Sequence, residues 1–215
     1  AGAILIFPAC SGKDKNKENN IVQEPIPELP SYNAKDYDFN SIILNNHKYH
    51  ERGDALENNF ALQQIIPYVW IVNSKEKKVF AYRRAKKKQN YNETRLMNKI
   101  SCGVGGHIEK SKDFGNPIEN GMMRELREEV IMGEYNIPKV VGYLNDDSNS
   151  VGKVHFGIVA ILETEGEVKK GGKEMTEGRF YAISELEEIF SDSENKIESW
   201  TRISWPFIKD YLVKL

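Results

Sequence analysis

The chain has 215 residues, 40% of them hydrophobic and 10% aromatic, which is enough to bury a core in a domain of moderate size. Thirty Lys and Arg against 32 Asp and Glu leave a formal charge of −2, so nothing in the global charge attracts nucleic acid or a membrane surface. Cys10 and Cys102 are too few for a disulfide framework and suit a reducing, cytoplasmic compartment, and no apolar run is long enough to span a bilayer.

In chain order, Ala1 to Cys10 reads as a short β-strand ended by Pro8; the alternative, the tail of a lipoprotein signal, has too short an apolar run. Ser11 to about Asn33 is polar and punctuated by Pro25, Pro27 and Pro30, and is expected to be a loop. From about Tyr32 to Leu62 short helices are expected, so that residues 1–61 form an extension packed on a main domain of residues 62–215. Ile65 to Val72 and Lys78 to Tyr82 are rich in β-branched and aromatic residues and predict a hairpin around Asn73 to Glu76. Ser101 to Ile108 predicts a strand that runs into the turn Gly105-Gly106.

Asn116-Pro117-Ile118-Glu119 has the composition of a helix start, with Asn as cap, Pro at the first helical position and Glu at the third. Gly133 is the expected stop. Strands are then expected over Val140 to Leu144, Val151 to Leu162 and Phe180 to Ile183, and a helix from Ser184 whose apolar face holds Leu186, Ile189 and Phe190. Glu194 to Val213 reads as a closing helix that Pro206 should kink or split. Strands flanked by helices predict an α/β sandwich with a mixed sheet.

The helix after Asn116 carries the chemistry. Ile118, Met122, Met123, Leu126 and Val130 make its apolar stripe, and at 100° per residue Glu125, Glu128 and Glu129 fall beside or within that stripe. These carboxylates sit at the helix's negative end, where the macrodipole disfavours them. Glu125 has Gly121 and Glu129 one turn away, so neither neighbour is cationic, and Arg124 is placed to serve Glu128 alone. Such acids either form a solvated face or hold a hard divalent cation through oxygen ligands. The adjacent glycines favour the cation, because a Gly-Gly turn lets backbone approach an ion or phosphate closely and Gly121 leaves room on the acidic side.

Arg124, Glu125, Leu126, Glu128 and Glu129, together with Gly105-Gly106-His107-Ile108-Glu109, resemble the signature of the Nudix hydrolases. The Arg-Glu-aliphatic-any-Glu-Glu half matches residue for residue. The glycine half is four residues too long, and the signature's first glutamate falls on Asn116. Either the loop from Lys110 to Gly115 bulges and leaves the site intact, with Asp113 or Glu109 supplying the missing charge, or the domain binds nucleotides without cleaving them.

The resemblance implies a Nudix-like α/β/α sandwich with a mixed β-sheet, and hydrolysis of a phosphoanhydride in a nucleoside diphosphate-linked or related diphosphate substrate. It implies Mg²⁺ or Mn²⁺ held by Glu125, Glu128, Glu129 and the Gly105 carbonyl, with one of these glutamates or a residue of a later loop taking the proton. Glu174 and Glu177 either belong to a solvated loop with Lys169, Lys170 and Lys173 or lie where the family places a further metal ligand or general base, in which case Glu177 is the expected catalytic residue and Glu174 an expected substrate neighbour. Arg83 and Arg84, in a basic cluster with Lys86, Lys87 and Lys88, are expected near the diphosphate, and Glu93 and Arg95 border them. The expected partner is therefore a nucleotide or other diphosphate-containing small molecule, with neither nucleic acid nor membrane; the oligomeric state, a homodimer included, stays open.

Other chemistries find less support. Gly103 to Gly106 lacks the Lys and Ser/Thr of a Walker loop, and no serine elbow is present. His47, His50 and His107 have no zinc-site spacing with the cysteines, and His155, in an apolar strand, reads as a satisfied core residue.

Overall fold

The computed structural model describes residues 3–8, 32–33, 38–85 and 96–215. Most of the loop expected over 11–33 lies outside the described residues, as do Cys10, Lys86, Lys87, Lys88, Glu93 and Arg95. The chain begins with β1 (Ala3–Pro8) and β2 (Tyr32–Asn33), followed by α1 (Phe39–Asn46), β3 (Lys48–Glu51) and α2 (Asp54–Glu57). The expected hairpin follows as β4 (Leu62–Asn73) and β5 (Lys78–Arg84), closed by Val72↔Val79 and Asn73↔Lys78. In place of one strand from Ser101 there are two short ones, β6 (Ile100–Ser101) on β5 and β7 (Gly103–Val104) on β4.

The signature helix is α3 (Pro117–Glu129), and it starts as its sequence predicts, with the Asn116 side chain accepting a hydrogen bond from the Glu119 N–H. It stops four residues before Gly133. The reason is tertiary: β8 (Val130–Ile131) leaves the helix to pair with β11 (Lys169–Lys170), and the N–H groups of Gly171 and Gly172 both donate to the Glu129 carbonyl, at 2.8 and 2.9 Å. Carbonyls at a helix end need such donors, and a later hairpin supplies them here.

Between those two strands come β9 (Lys139–Asn145), a 3-10 turn over 152–154, and β10 (His155–Glu163), which starts four residues later than its sequence suggests. The chain closes with β12 (Met175–Ala182), α4 (Ile183–Ser191) and α5 (Ser199–Lys214). Pro206 does not split α5. It lies on the exposed side, where water can satisfy the carbonyl it leaves without a donor, while Trp200, Trp205, Ile208 and Leu212 bury the opposite side.

The main sheet runs β12-β5-β4-β10-β9-β2, and β1 joins both β3 and β4. It is mixed, because β10 lies parallel to β4 from His155↔Gln64 to Glu163↔Val72 while its other side pairs antiparallel with β9. Alternation along β4 splits the core in two. Ile65, Val69 and Ile71 pack with Ile118, Met122 and Leu126 of α3, while Tyr68, Trp70 and Val72 pack with Leu186 of α4 and Trp200, Trp205 and Ile208 of α5. The result is the expected α/β/α sandwich. Phe39 and Ile43 of α1 belong to the α3-side core, and the Phe39 ring meets Tyr143 edge-on at 4.8 Å. No helix among the described residues is long and apolar enough to cross a membrane.

Leu126 has no exposed surface and ties α3 to the sheet. Leu126→Ala should cost about 2–5 kcal/mol, read as a lower urea midpoint with an unchanged slope.

Candidate metal centre on the signature helix

Parallel pairing of β10 with β4, and pairing of β7 with β4, bring the Gly105-Gly106-His107 turn over the last turns of α3. The approach is close enough to require glycine. A Cβ on Gly106 would lie 2.6 Å from Glu125 Oε1, and one on Gly172 would lie 2.3 Å from Glu129 Oε2, so two backbone stretches cradle two of the signature carboxylates. Gly121 has a different role from the expected one. Its missing side chain admits Ile108, whose Cγ1 would be 2.9 Å from a Cβ there, with Asp113 Oδ2 at 3.6 Å.

Arg124 organises the cluster. The sequence suggests that it serves Glu128 alone, but its guanidinium is buried and makes five hydrogen bonds. Nε and Nη2 donate to the two oxygens of Asp113, both at 3.0 Å. Nη2 also donates to the His107 carbonyl at 2.7 Å, and Nη1 donates to Glu125 at 2.7 Å and Glu128 at 3.2 Å. A guanidinium has five N–H donors, so this set leaves none for a substrate. Glu125 therefore does have a cationic partner, a neighbour in sequence that the i, i+4 rule does not consider.

Asp113, 3% exposed, supplies the charge that the sequence lacks at Asn116. Its N–H donates to the Glu109 carbonyl at 2.9 Å, and Glu109 N–H donates back to Asp113 Oδ2 at 2.8 Å. The lengthened loop thus makes one helical turn and returns a carboxylate to Arg124. Glu109 instead pairs with Lys112 at 3.1 Å, near the surface. Asn116 keeps only its capping role.

The charges remain unbalanced toward the acids. Burial pushes Glu125 up to about 7 against the opposing pull of Arg124, and the charges of Glu128 and Glu174 raise it further. Burial opposes the charge on Arg124, but Asp113 and Glu125 more than offset it, and its pKa rises above its ordinary value. Glu128 keeps half of its side chain in solvent. These are hard oxygen donors facing a shortage of cations, and such a set suits a hard divalent cation.

The remaining expected residues divide. Glu174 lies close enough for its charge to act on Glu125, and its carbonyl accepts from Ala85 N–H at 2.9 Å. Glu177 is placed elsewhere: it sits in a bulge of β12 with φ 56°, a left-handed backbone, pairs with Arg83 at 3.6 Å, and lines a pocket with Tyr181, Leu186 and Ile189 on the α4 side. Arg83 also donates to the Asn98 carbonyl at 3.2 Å. Arg84 is buried and ion-paired at 3.3 Å with Glu198, itself 5% exposed. That pair ties β5 to the start of α5.

Sequence reading missed a second constellation. Glu57, His107 and His155 place one ligand atom each within 4.8 Å of one another. Burial, followed by the charges of Arg52, His155 and Arg124, holds His107 well below the usual histidine range. Residues 57, 107 and 155 are too far apart in the chain for spacing to connect them.

No family model matches the chain. It is 38% identical to protein YmaB of Bacillus subtilis (strain 168) over 168 residues, which cover 75% of this chain and 76% of YmaB. Among solved structures it is similar to Tm1382, a candidate Nudix hydrolase, with a TM-score of 0.72 over 97% of this chain and 99% of that one, at 20% identity. That likeness is one of fold. DR0079 from Deinococcus radiodurans is similar over 65% of this chain and 80% of its own, with a TM-score of 0.45 and 14% identity.

Two outcomes check the site. In the metal-free protein Glu125 has a folded pKa of about 7 against 4.5 for the ordinary carboxyl, so the native state binds the extra proton. Its contribution is present below pH 4.5 and lost as pH rises through 7, on the order of 3 kcal/mol at most. Urea denaturation across that window should show the loss, and Glu125→Gln should flatten it. Asp113→Ala leaves the Arg124 fork half empty and should destabilise by about 3 kcal/mol, more than Glu109→Ala does in the same assay.

Proposed function

Because the chain belongs to the family of Bacillus subtilis protein YmaB and has the Nudix fold, we propose that it is a divalent-metal-dependent hydrolase that cleaves a phosphoanhydride in a nucleoside diphosphate-linked or related diphosphate substrate. The observation that carries this reading is the Asp113–Arg124 fork. The sequence departs from the signature at Asn116, and a carboxylate from the lengthened loop restores the partner that Arg124 needs. The departure is therefore no argument for a silent module.

Glu125, Glu128 and Glu129, with the Gly105 carbonyl, would hold the Mg²⁺ or Mn²⁺. When bound, the metal neutralises diphosphate oxygens and lowers the pKa of a coordinated water. Arg124 fixes the rotamers of Glu125 and Glu128 through Nη1, which keeps one oxygen of each turned toward the guanidinium and the other available. Glu128, the most exposed of these carboxylates, is the one that an incoming phosphate meets first. Gly106 and Gly172 let backbone lie flat against Glu125 and Glu129, which excludes water from that side.

For the proton, Glu174 is better placed than Glu177. Its charge reaches Glu125, whereas Glu177 is turned to Arg83 beside α4. The substrate's organic group is left to the loops outside the signature.

A screen of nucleoside triphosphates, ADP-ribose, dinucleotides, dinucleoside polyphosphates and sugar nucleotides with Mg²⁺ and Mn²⁺ tests the proposal. Glu128→Gln should lower kcat by at least a hundredfold, and Glu174→Gln should lower it more than Glu177→Gln does. Binding of these nucleotides with no phosphate or nucleoside monophosphate released would instead establish a sensing module.

A further inference from the structure

We propose that Glu57, His107 and His155 form a second metal site, distinct from the carboxylate cluster on α3, that takes a first-row transition ion of the zinc type and pins the glycine turn to the segment before β4. The three ligand atoms lie within 4.8 Å of one another. A tetrahedral ion with bonds of ~2.1 Å holds its ligands ~3.4 Å apart, so side-chain rotations of about an ångström close the set, and Glu57 lies partly exposed at the end of the short helix α2.

The surroundings are those of a ligand set. His155 Nδ1 lies 2.7 Å from the Val151 carbonyl, which can only accept, so Nδ1 carries a proton and in the neutral ring Nε2 holds the lone pair. That backbone bond is the usual second partner of a metal-binding histidine, and it fixes both tautomer and ring orientation. Gln64 holds the other two residues. Its Nε2 donates to Glu57 Oε1 at 3.1 Å and its Oε1 faces His107 Nε2 at 2.8 Å. The two imidazoles meet at 5.5 Å between centroids, inclined at 61°. Register explains why they meet, since His155 is the strand partner of Gln64 at the start of the parallel β4–β10 pair.

Two imidazoles and one carboxylate differ in chemistry from the all-oxygen cluster on α3. Imidazole suits zinc and its neighbours, whereas Mg²⁺ prefers oxygen and keeps its waters. The consequence for the molecule lies in His107. Its side chain belongs to this site while its carbonyl accepts from Arg124 Nη2. An ion held by the ring therefore restrains the backbone that lies against Glu125, and it recruits Glu57 from the N-terminal extension to do so.

The experiment uses the whole chain, stripped with EDTA and returned to millimolar Mg²⁺ so that the α3 cluster is saturated. Titration with Zn²⁺ should then show one tight equivalent per chain, a raised melting temperature, and, with Co²⁺ instead, visible d–d absorption. Glu57→Gln and His155→Gln should each weaken Zn²⁺ at least tenfold; circular dichroism confirms folding, and Glu57, less buried than His155, keeps one variant informative if His155→Gln unfolds. Glu128→Gln, which disables the α3 cluster, should retain the zinc equivalent. The proposal is overturned if Zn²⁺ does not bind in the presence of Mg²⁺, if Glu57→Gln binds it as tightly as the wild type, or if Glu128→Gln abolishes the binding. None of these outcomes bears on Mg²⁺-dependent turnover, so the two proposals fail separately.

Discussion

The guanidinium of Arg124 is buried under a loop, and a buried cation must have every donor satisfied. Its five hydrogen bonds reach Asp113, His107, Glu125 and Glu128, so one side chain joins the lengthened loop, the glycine turn and the helix. Removing any of those partners would strand charge in a poorly solvated place. The arrangement also fixes one oxygen of Glu125 and one of Glu128 against the guanidinium.

The helix end is the second constraint. Glu125, Glu128 and Glu129 occupy the turn where the macrodipole is negative, and the chain does not relieve this by choosing other residues. It caps the Glu129 carbonyl with Gly171 and Gly172 from the β11 region and lays the Gly172 backbone against the Glu129 carboxylate. The same few residues thus end the helix and enclose the Glu129 carboxylate. Acids concentrated in this way make a cation favourable there, and they place the proposed chemistry on α3.

The sheet connects the two candidate metal sites. β4 pairs with β7 toward the α3 cluster and with β10 toward the histidines, so the turn at Gly105 to His107 faces one site with its backbone and the other with a ring. Each side of β4 also feeds a separate core, one under α3 and one under α4 and α5.

The hairpin of β4 and β5, the Asn116 cap with Pro117, the apolar stripe of α3 and the Arg124 to Glu129 run were legible in sequence because each depends on neighbours within a turn or a strand pair. What sequence did not determine depends on contacts between distant residues. Gly133 did not end the helix because donors from Gly171 and Gly172 arrived first. Pro206 did not break α5 because it fell on the solvent side of a face held by tryptophans. Asp113 could be suspected of replacing the missing glutamate, but only the turn begun at Glu109 brings it to Arg124. His155 is buried and hydrogen-bonded as its apolar segment suggests, but nothing in that segment shows that parallel register sets it beside Gln64, and through Gln64 beside His107 and Glu57. Local preference thus set the β4–β5 hairpin and the start of the signature helix, and long-range hydrogen bonding decided which charged and ligating side chains the elements bring together.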